Sequence, residues 1–393
     1  MSAASVAARW GTAILLLVAL VCAAPPAGAE PAGSGARPAD RAPLRDGTGL
    51  YPRLVRLDHS GDANGTLVAS VVDFDADGGK GVIYRSTDNG ATFTEVGAVR
   101  DPGAKDGLCC TTLFELPSQV GDLPEGTLLW AASIGQDAAD RRMSVPIWQS
   151  RDQGTSWQPL SVCRQAENDR GIWEPELSVD AGGRLTCHYA DETDPAHSQQ
   201  LRESFSTDGV TWTEPYPTVA PDDAGLRPGM PTVRRLGDGT YILVYEICGS
   251  GDNYDCATYS RTSADGADWG PPNDVGPRLA AESGDYFTHA PTVNRIDNGS
   301  GATRLAVVGQ QLRNANGDLV PGSGNTVLIS DNGAAGPWRA APAPVSVPDP
   351  QNEPCANYSS TLVTPADGST LLEIADDRDG DVCKPFYASA PMP

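Results

Sequence analysis

The stretch Ser86-Thr87-Asp88-Asn89-Gly90-Ala91-Thr92-Phe93 returns along the chain as a short polar turn that ends in an aromatic residue. The later copies are SRDQGTSW at 150–157, STDGVTW at 206–212, SADGADW at 263–269 and a degenerate SDNG at 330–333. Their serines are 64, 56, 57 and 67 residues apart. In each copy the Asp side chain can accept hydrogen bonds from its own turn, and the Gly can adopt a left-handed conformation. The repeat predicts a series of similar hairpin units.

Each unit is long enough for four short strands. In the fourth unit, apolar or alternating runs at 231–236, 240–247 and 257–262 precede the Asp turn. Four strands in about 55 to 65 residues are typical of an antiparallel blade. A sixth unit, 358–390, lacks the Asp turn, and we expect the segment before Tyr51 to supply its missing strand and close the ring. The sequence thus predicts an all-β fold, a six-bladed β-propeller of four-stranded antiparallel blades with Asp-box turns, over residues 47–393.

The amino-acid composition excludes some classes of fold and of binding partner. The 393 residues include 43 Gly and 33 Pro, which favours many strands and turns over helices. A formal net charge of −23 argues against nucleic acid and anionic membrane surfaces as partners, because both require basic patches. A neutral substrate suits such a protein better than a polyanion.

The first residues have the features of an export signal. Arg9 precedes an apolar run over 11–24, and Ala27-Gly28-Ala29 provides small residues for cleavage. The run is short for a membrane span, and two prolines end it. We expect a signal peptide over 1–29, a flexible lead-in over 30–46, a secreted protein, and no membrane attachment after cleavage.

Eight cysteines remain once the signal peptide is removed, as expected for a disulfide-bonded exported protein. Cys248 and Cys256 are the predicted local pair, and the other pairings stay open. No Cys-x-x-Cys motif occurs and there are only four histidines, so no metal or other cofactor is expected. A monomer is expected.

Antiparallel geometry places the Asp turns on one face of the ring and the ends of the second strands on the other. Glu246 follows the apolar run 241–245, and Glu174 lies in Trp173-Glu174-Pro175. Two carboxylates from adjacent blades, with aromatic and polar neighbours, are what glycoside hydrolysis requires. The predicted catalytic residues are Glu174, Glu246 and Tyr358. The predicted substrate-binding residues on the same face are Arg53, Trp173, Asp191, Glu192, Arg227, Met230 and His289.

Each candidate also has a structural interpretation. A Glu at a strand end is commonly a solvated surface residue, although Glu246 ends a hydrophobic strand. Arg53 could neutralise the ring of carboxylates, Tyr358 could pack in the central funnel, and Trp173 could belong to the core. Asp191 and Glu192 could shape the rim.

The turns resemble the Asp boxes of the sialidase superfamily of propellers, over nearly the whole mature chain. A narrower resemblance lies in Trp173-Glu174-Pro175, Tyr189-Ala190-Asp191-Glu192, Arg227-Pro228-Gly229-Met230-Pro231 and Val244-Tyr245-Glu246. These motifs are similar to those of the exo-α-1,5-L-arabinanases of glycoside hydrolase family 93, secreted six-bladed propellers that act on linear arabinan with retention. The resemblance implies Glu246 as nucleophile, Glu174 as general acid/base and Tyr358 as the tyrosine assisting the nucleophile.

Two other functions compete with this one. In an exo-sialidase, Tyr358 would be the nucleophile beside Glu246, and three arginines would bind the substrate carboxylate. Arg53 and Arg227 are candidates for that role, but the sequence offers no convincing third. A non-catalytic glycan-binding propeller is the other alternative, and it would not need both Glu174 and Glu246 within reach of one bond.

Overall fold

A computed structural model of the protein describes residues 41–296 and 303–393. The predicted signal peptide and residues 30–40 of the predicted lead-in lie outside this part of the chain. The described residues form six antiparallel sheets, and the innermost strands of successive sheets contact one another around a closed ring. The predicted six-bladed β-propeller is thereby confirmed.

The chain enters the propeller with β1 (Ala42–Pro43), which belongs to the last blade. The first three blades then follow in order, each with four consecutive strands. Blade one comprises β2 (Leu50–Arg56), β3 (Leu67–Asp75), β4 (Gly78–Ser86) and β5 (Thr94–Val99). Blade two comprises β6 (Leu108–Glu115), β7 (Leu128–Ile134), β8 (Ser144–Ser150) and β9 (Gln158–Gln165). Blade three comprises β10 (Ile172–Val179), β11 (Leu185–Asp191), β12 (Gln200–Ser206) and β13 (Tyr216–Val219).

Blade four has a fifth strand, which is contributed by an excursion from blade five. It comprises β14 (Arg227–Arg235), β15 (Tyr241–Cys248), β16 (Ala257–Ser263), β17 (Tyr286–Thr288) and β20 (Gln311–Arg313). Blade five comprises β18 (Thr292–Arg295), β19 (Leu305–Val308), β21 (Thr326–Ser330) and β22 (Trp338–Pro342).

The chain's first strand completes the last blade. Blade six comprises β23 (Thr361–Val363), β24 (Thr370–Asp379), β25 (Val382–Pro391) and β1. Ala42 pairs with Tyr387, so the N-terminal segment covers an edge that would otherwise be open, as expected. Part of the predicted lead-in over 30–46 therefore belongs to the propeller.

Regular helix is nearly absent from the described residues, where three short 3₁₀ turns occur at Gly61–Ala63, Pro102–Asp106 and Gly333–Ala335. None of the helices in this part of the chain has the length and apolar character to cross a membrane.

The repeated turns are held by their own side chains. In the first, Ser86 Oγ accepts from Gly90 N at 2.9 Å, and Asp88 Oδ1 accepts from Thr92 N at 3.0 Å. The pattern recurs at Asp152, which accepts from Ser156 N at 2.8 Å. In the degenerate fifth copy, Ser330 still binds its turn, whereas Asp331 pairs with arginines. The predicted role of the Asp residues is confirmed for the regular copies.

The core lies between neighbouring blades. Strand β7 is buried along its whole length because blades flank it on both faces. Its Trp130 packs against Gly81 of blade one, where a β-carbon would lie 2.6 Å from the indole nitrogen. Glycine at this position allows the two sheets to approach.

Four inner strands carry a bulge at the same level near the centre of the ring. Tyr51, Cys110, Glu174 and Met230 have φ values of 55°, 57°, 59° and 56°, and the strand register shifts at each of them. A β-bulge reorients the side chains around it. These bulges shape the site described next.

Candidate active site

Adjacent blades bring the two predicted catalytic carboxylates together. Glu246 lies near the end of β15 and pairs with Gly229 of β14, while Glu174 occupies the bulge of β10. A β-carbon on Gly229 would lie 3.1 Å from Glu174 Oε2 and 3.8 Å from Glu246 Oε1. The two oxygens are therefore separated by no more than the sum of these distances. This limit accommodates the roughly 5–5.5 Å that separates the carboxyl groups of retaining glycosidases.

Each carboxylate accepts a hydrogen bond from a backbone N–H, one in β14 and the other just after β17. Met230 N donates to Glu174 Oε2 at 2.5 Å, and Ala290 N donates to Glu246 Oε2 at 2.6 Å. Burial raises the pKa of Glu174 to about 7. Burial, reinforced by the negative charge of Glu174, raises the pKa of Glu246 to about 8. The free site thus favours a pair that carries one proton near neutral pH.

Tyr358 lies in the same funnel, beside Tyr51 and Met230. The two tyrosine rings are 6.3 Å apart, and the Tyr51 and Tyr358 hydroxyls lie 3.6 Å and 4.0 Å from Met230 Sδ. Burial, together with the charges of Glu246 and Glu174, raises the pKa of Tyr358 well above its usual value. Tyr358 is therefore a neutral hydroxyl near the carboxylate pair.

Arg53 is buried beneath this group. Its guanidinium lies 4.1 Å from the centre of the Tyr51 ring and donates to Ser359 Oγ at 3.0 Å. Asp376, which is fully buried, accepts from Tyr51 N at 3.0 Å. These contacts give Arg53 a supporting position behind Tyr51.

Arg227 and Glu192 form the rim on the blade-three side. Arg227 donates to Glu192, to Gln199 Oε1 at 2.6 Å and to Ser198 Oγ at 2.9 Å. Burial alone would raise the pKa of Glu192, but hydrogen bonds led by the one from Arg227 lower it. Trp173 lies beside Glu192 and contributes to the lowered pKa of that carboxyl, and the Arg141 guanidinium lies 5.3 Å from the centre of the Trp173 ring.

The remaining predicted binding residues differ in their access to the site. Asp191 is fully buried, and its Oδ1 accepts from both Thr193 N and Thr193 Oγ1 at 2.6 Å. Its contacts stabilise the turn after β11. Met230 is also buried, and it acts on the site through its N–H and its sulfur. His289 is partly exposed, and burial lowers its pKa.

Among the described residues, four disulfides join Cys109–Cys110, Cys163–Cys187, Cys248–Cys256 and Cys355–Cys383. The predicted pair Cys248–Cys256 is confirmed. Its sulfurs and a ring nitrogen of His289 lie within 4.8 Å of one another. Because both sulfurs are in the disulfide, they are not available as thiolate metal ligands.

Sequence reasoning missed Tyr51, Gln199 and Gly229 as parts of the site. Gly229 had a usable signal, since it lies in a motif already singled out and directly precedes Met230. The other residues carry no local pattern that distinguishes them from packing residues.

No protein-family model and no curated protein matches the sequence. Solved structures do match. An α-L-arabinanase of Penicillium chrysogenum, complexed with arabinobiose, is 24% identical, with a TM-score of 0.72 over 89% of this chain and 96% of that one. The family 93 α-L-arabinofuranosidase of Fusarium graminearum, also complexed with arabinobiose, is 23% identical, with a TM-score of 0.70 over 88% and 94%.

A Hadza microbial sialidase is less similar. It is 12% identical, with a TM-score of 0.56 over 90% of this chain and 68% of that one. The expected resemblance to family 93 is confirmed at the level of the fold.

Proposed function

We propose that the protein is a secreted, retaining exo-glycosidase that acts on arabinan-type polysaccharide. The observation that carries the proposal is the carboxylate pair Glu174 and Glu246, which flanks Gly229 at the centre of the propeller. A pair in which one carboxylate is ionised and the other protonated can cleave a glycosidic bond in two displacement steps. The fold shared with arabinan-degrading enzymes supports the choice of substrate.

In the proposed mechanism Glu246 attacks the anomeric carbon and Glu174 donates a proton to the leaving oxygen. Glu174 then removes a proton from the water that releases the sugar. The resemblance supports this division of roles. The pKa values of the free site do not determine these roles, since Glu246, the proposed nucleophile, has the higher pKa there. The proposed mechanism therefore requires the shared proton to lie on Glu174 once substrate is bound.

The surroundings suit a neutral sugar chain. Trp173, half-buried beside Glu192, offers an aromatic surface at the rim. Arg53 and Arg227, the arginines considered for a sialic acid carboxylate, are both bonded within the protein. The four disulfides of the described residues support export.

The first test is sugar release from debranched 1,5-arabinan and from a fluorogenic sialoside by the mature protein. We expect arabinose or a short arabino-oligosaccharide from arabinan only, with Glu246→Gln lowering kcat by about 10³-fold or more. The matched control is Glu214→Gln, which changes an exposed Glu between β12 and β13 of blade three and should leave full activity. Turnover of the sialoside alone would overturn the substrate assignment.

The roles are separated with an aryl arabinofuranoside that has a good leaving group. Glu174→Gln should be strongly impaired on debranched 1,5-arabinan, by roughly 10²- to 10⁴-fold, but much less on the first step with the aryl substrate. Glu246→Gln should be impaired on both. The reverse pattern would exchange the two roles.

A further inference from the structure

Blade two contributes an unusual group to the centre of the propeller, a disulfide between consecutive residues. Cys109 and Cys110 lie in β6 and are bonded to each other, closing a small ring that includes the peptide bond between them. Cys109 is partly exposed and Cys110 is buried. The ring presents two sulfurs and no strong hydrogen-bond donor.

Its position in the strand is shared with residues of the candidate active site. Cys110 occupies the bulge of β6, as Tyr51, Glu174 and Met230 occupy those of β2, β10 and β14. The Tyr51 hydroxyl contacts Met230 Sδ at 3.6 Å although blades one and four lie on opposite sides of the ring. The bulges therefore converge on the central axis, and Cys110 lies between those of Tyr51 and Glu174 in blade order.

The packing agrees with this position. Cys109 and Cys110 belong to one apolar cluster with Tyr51, Met230 and Ala290. Met230 belongs to blade four and Ala290 to the connection between β17 and β18, and both reach a cluster of the first two blades across the centre. Their backbone N–H groups are the donors that hold Glu174 and Glu246. The disulfide thus belongs to the same apolar cluster as the two residues whose N–H groups hold the carboxylate pair.

We propose that the Cys109–Cys110 disulfide forms an apolar wall of the sugar subsite beside Glu174 and Glu246. This inference rests on the proposed function and adds a specificity-determining group to it. A sugar residue carries C–H groups on one face, and polarisable sulfur packs well against them. A rigid ring loses little conformational entropy when a ligand binds. The ligand class is a neutral sugar residue at the end of a glycan chain.

The test is the double variant Cys109→Ser/Cys110→Ser, measured with debranched 1,5-arabinan. We expect KM to rise about tenfold or more while kcat changes only two- to threefold, since removing an apolar contact of this size weakens binding by that order. The control Cys163→Ser/Cys187→Ser removes the disulfide between β9 and β11, away from the candidate active site, and should leave KM unchanged. Thermal unfolding of both variants shows whether they fold. An unchanged KM in a folded Cys109→Ser/Cys110→Ser variant would overturn the inference and leave the proposed function intact.

A second measurement does not depend on that variant folding. The otherwise intact Glu246→Gln protein is reduced briefly with a phosphine and alkylated, with and without saturating arabinobiose, and the labelled cysteines are mapped by mass spectrometry. Arabinobiose should slow the labelling of Cys109 and Cys110 severalfold, but not that of Cys163 and Cys187. Equal labelling of Cys109 and Cys110 with and without arabinobiose would overturn the subsite assignment. If the wild-type protein neither cleaves arabinan nor binds arabinobiose, the proposed function fails, and the subsite assignment fails with it.

Discussion

Glu174 and Glu246 occupy positions where burial opposes ionisation, and the negative charge of Glu174 adds to this effect at Glu246. The pKa of Glu174 is raised to about 7 and that of Glu246 to about 8. Below these values both groups bind a proton and the nucleophile is lost, whereas above them both are ionised and the acid is lost. We expect a bell-shaped plot of kcat/KM against pH with its maximum between about 7 and about 8.

The measurement is the rate on debranched 1,5-arabinan from pH 4 to 10, with unfolding monitored over the same range. A maximum near pH 4 to 5 would contradict the expected shift, because it would indicate carboxyl groups with ordinary pKa values.

Gly229 is a second sensitive residue, for steric reasons alone. In Gly229→Ala the new methyl would lie 2.8 Å from Gln199 Nε2 and 3.1 Å from Glu174 Oε2. We expect kcat/KM on debranched 1,5-arabinan to fall about 10²-fold, because a displacement of about 1 Å in a catalytic group has effects of this size. Gly225→Ala, where the new methyl meets only an exposed Asp223 oxygen at 3.2 Å, is the matched control. Equal activity of both variants would mean that the space between the carboxylates is not used.

At the scale of single elements, the Asp-box turns stabilise the blades and lie away from the chemistry. Asp152 accepts from Ser156 N at 2.8 Å, Ser156 Oγ at 2.6 Å and Ser150 Oγ at 2.8 Å. Asp152→Ala should lower the free energy of unfolding by about 1–3 kcal/mol, since these donors lose their acceptor. Urea unfolding measures the change.

The activity of the folded Asp152→Ala variant should equal that of the wild type. Glu214→Ala, at an exposed site, should change neither property. A loss of kcat in Asp152→Ala without loss of stability would place this turn in the active site.

At the scale of the whole molecule, stability depends on buried acids outside the active site. Glu373 of blade six is 1% exposed and accepts from Val345 N at 2.8 Å. Burial raises its pKa from 4.5 to about 8. The unfolded chain therefore releases this proton at lower pH than the folded one. The associated stability is present below pH 4.5 and is lost as pH rises toward 8.

In Glu373→Gln this pH dependence should disappear. The free energy of unfolding of the variant is compared with that of the wild type at pH 7 and at pH 4. The difference should favour the variant by about 3 kcal/mol more at pH 7 than at pH 4. Urea unfolding at both pH values measures the effect, with Glu214→Gln as the exposed control. If the free energy of unfolding varies with pH in the same way in Glu373→Gln and wild type, Glu373 ionises as readily in the folded protein as in the unfolded chain.

Local sequence was sufficient for the architecture and for part of the site. The spacing of the Asp turns predicted the blades, because each turn is stabilised by hydrogen bonds within a few residues of itself. Glu174 and Glu246 could be selected as a pair because strand direction alone places them on one face. The closing strand was also predictable, since one blade lacked a strand.

Tertiary structure decided what surrounds the two carboxylates. Left-handed φ values at Tyr51, Cys110, Glu174 and Met230 are unusual for these residue types, so no local propensity predicts them. They arise where inner strands meet at the axis of a closed ring. The contact of Tyr51 with Met230 joins residues 179 positions apart, and the burial of Arg53 depends on blade six. Such contacts exist only after the ring has closed, because their partners are brought together by blade order and not by neighbouring sequence.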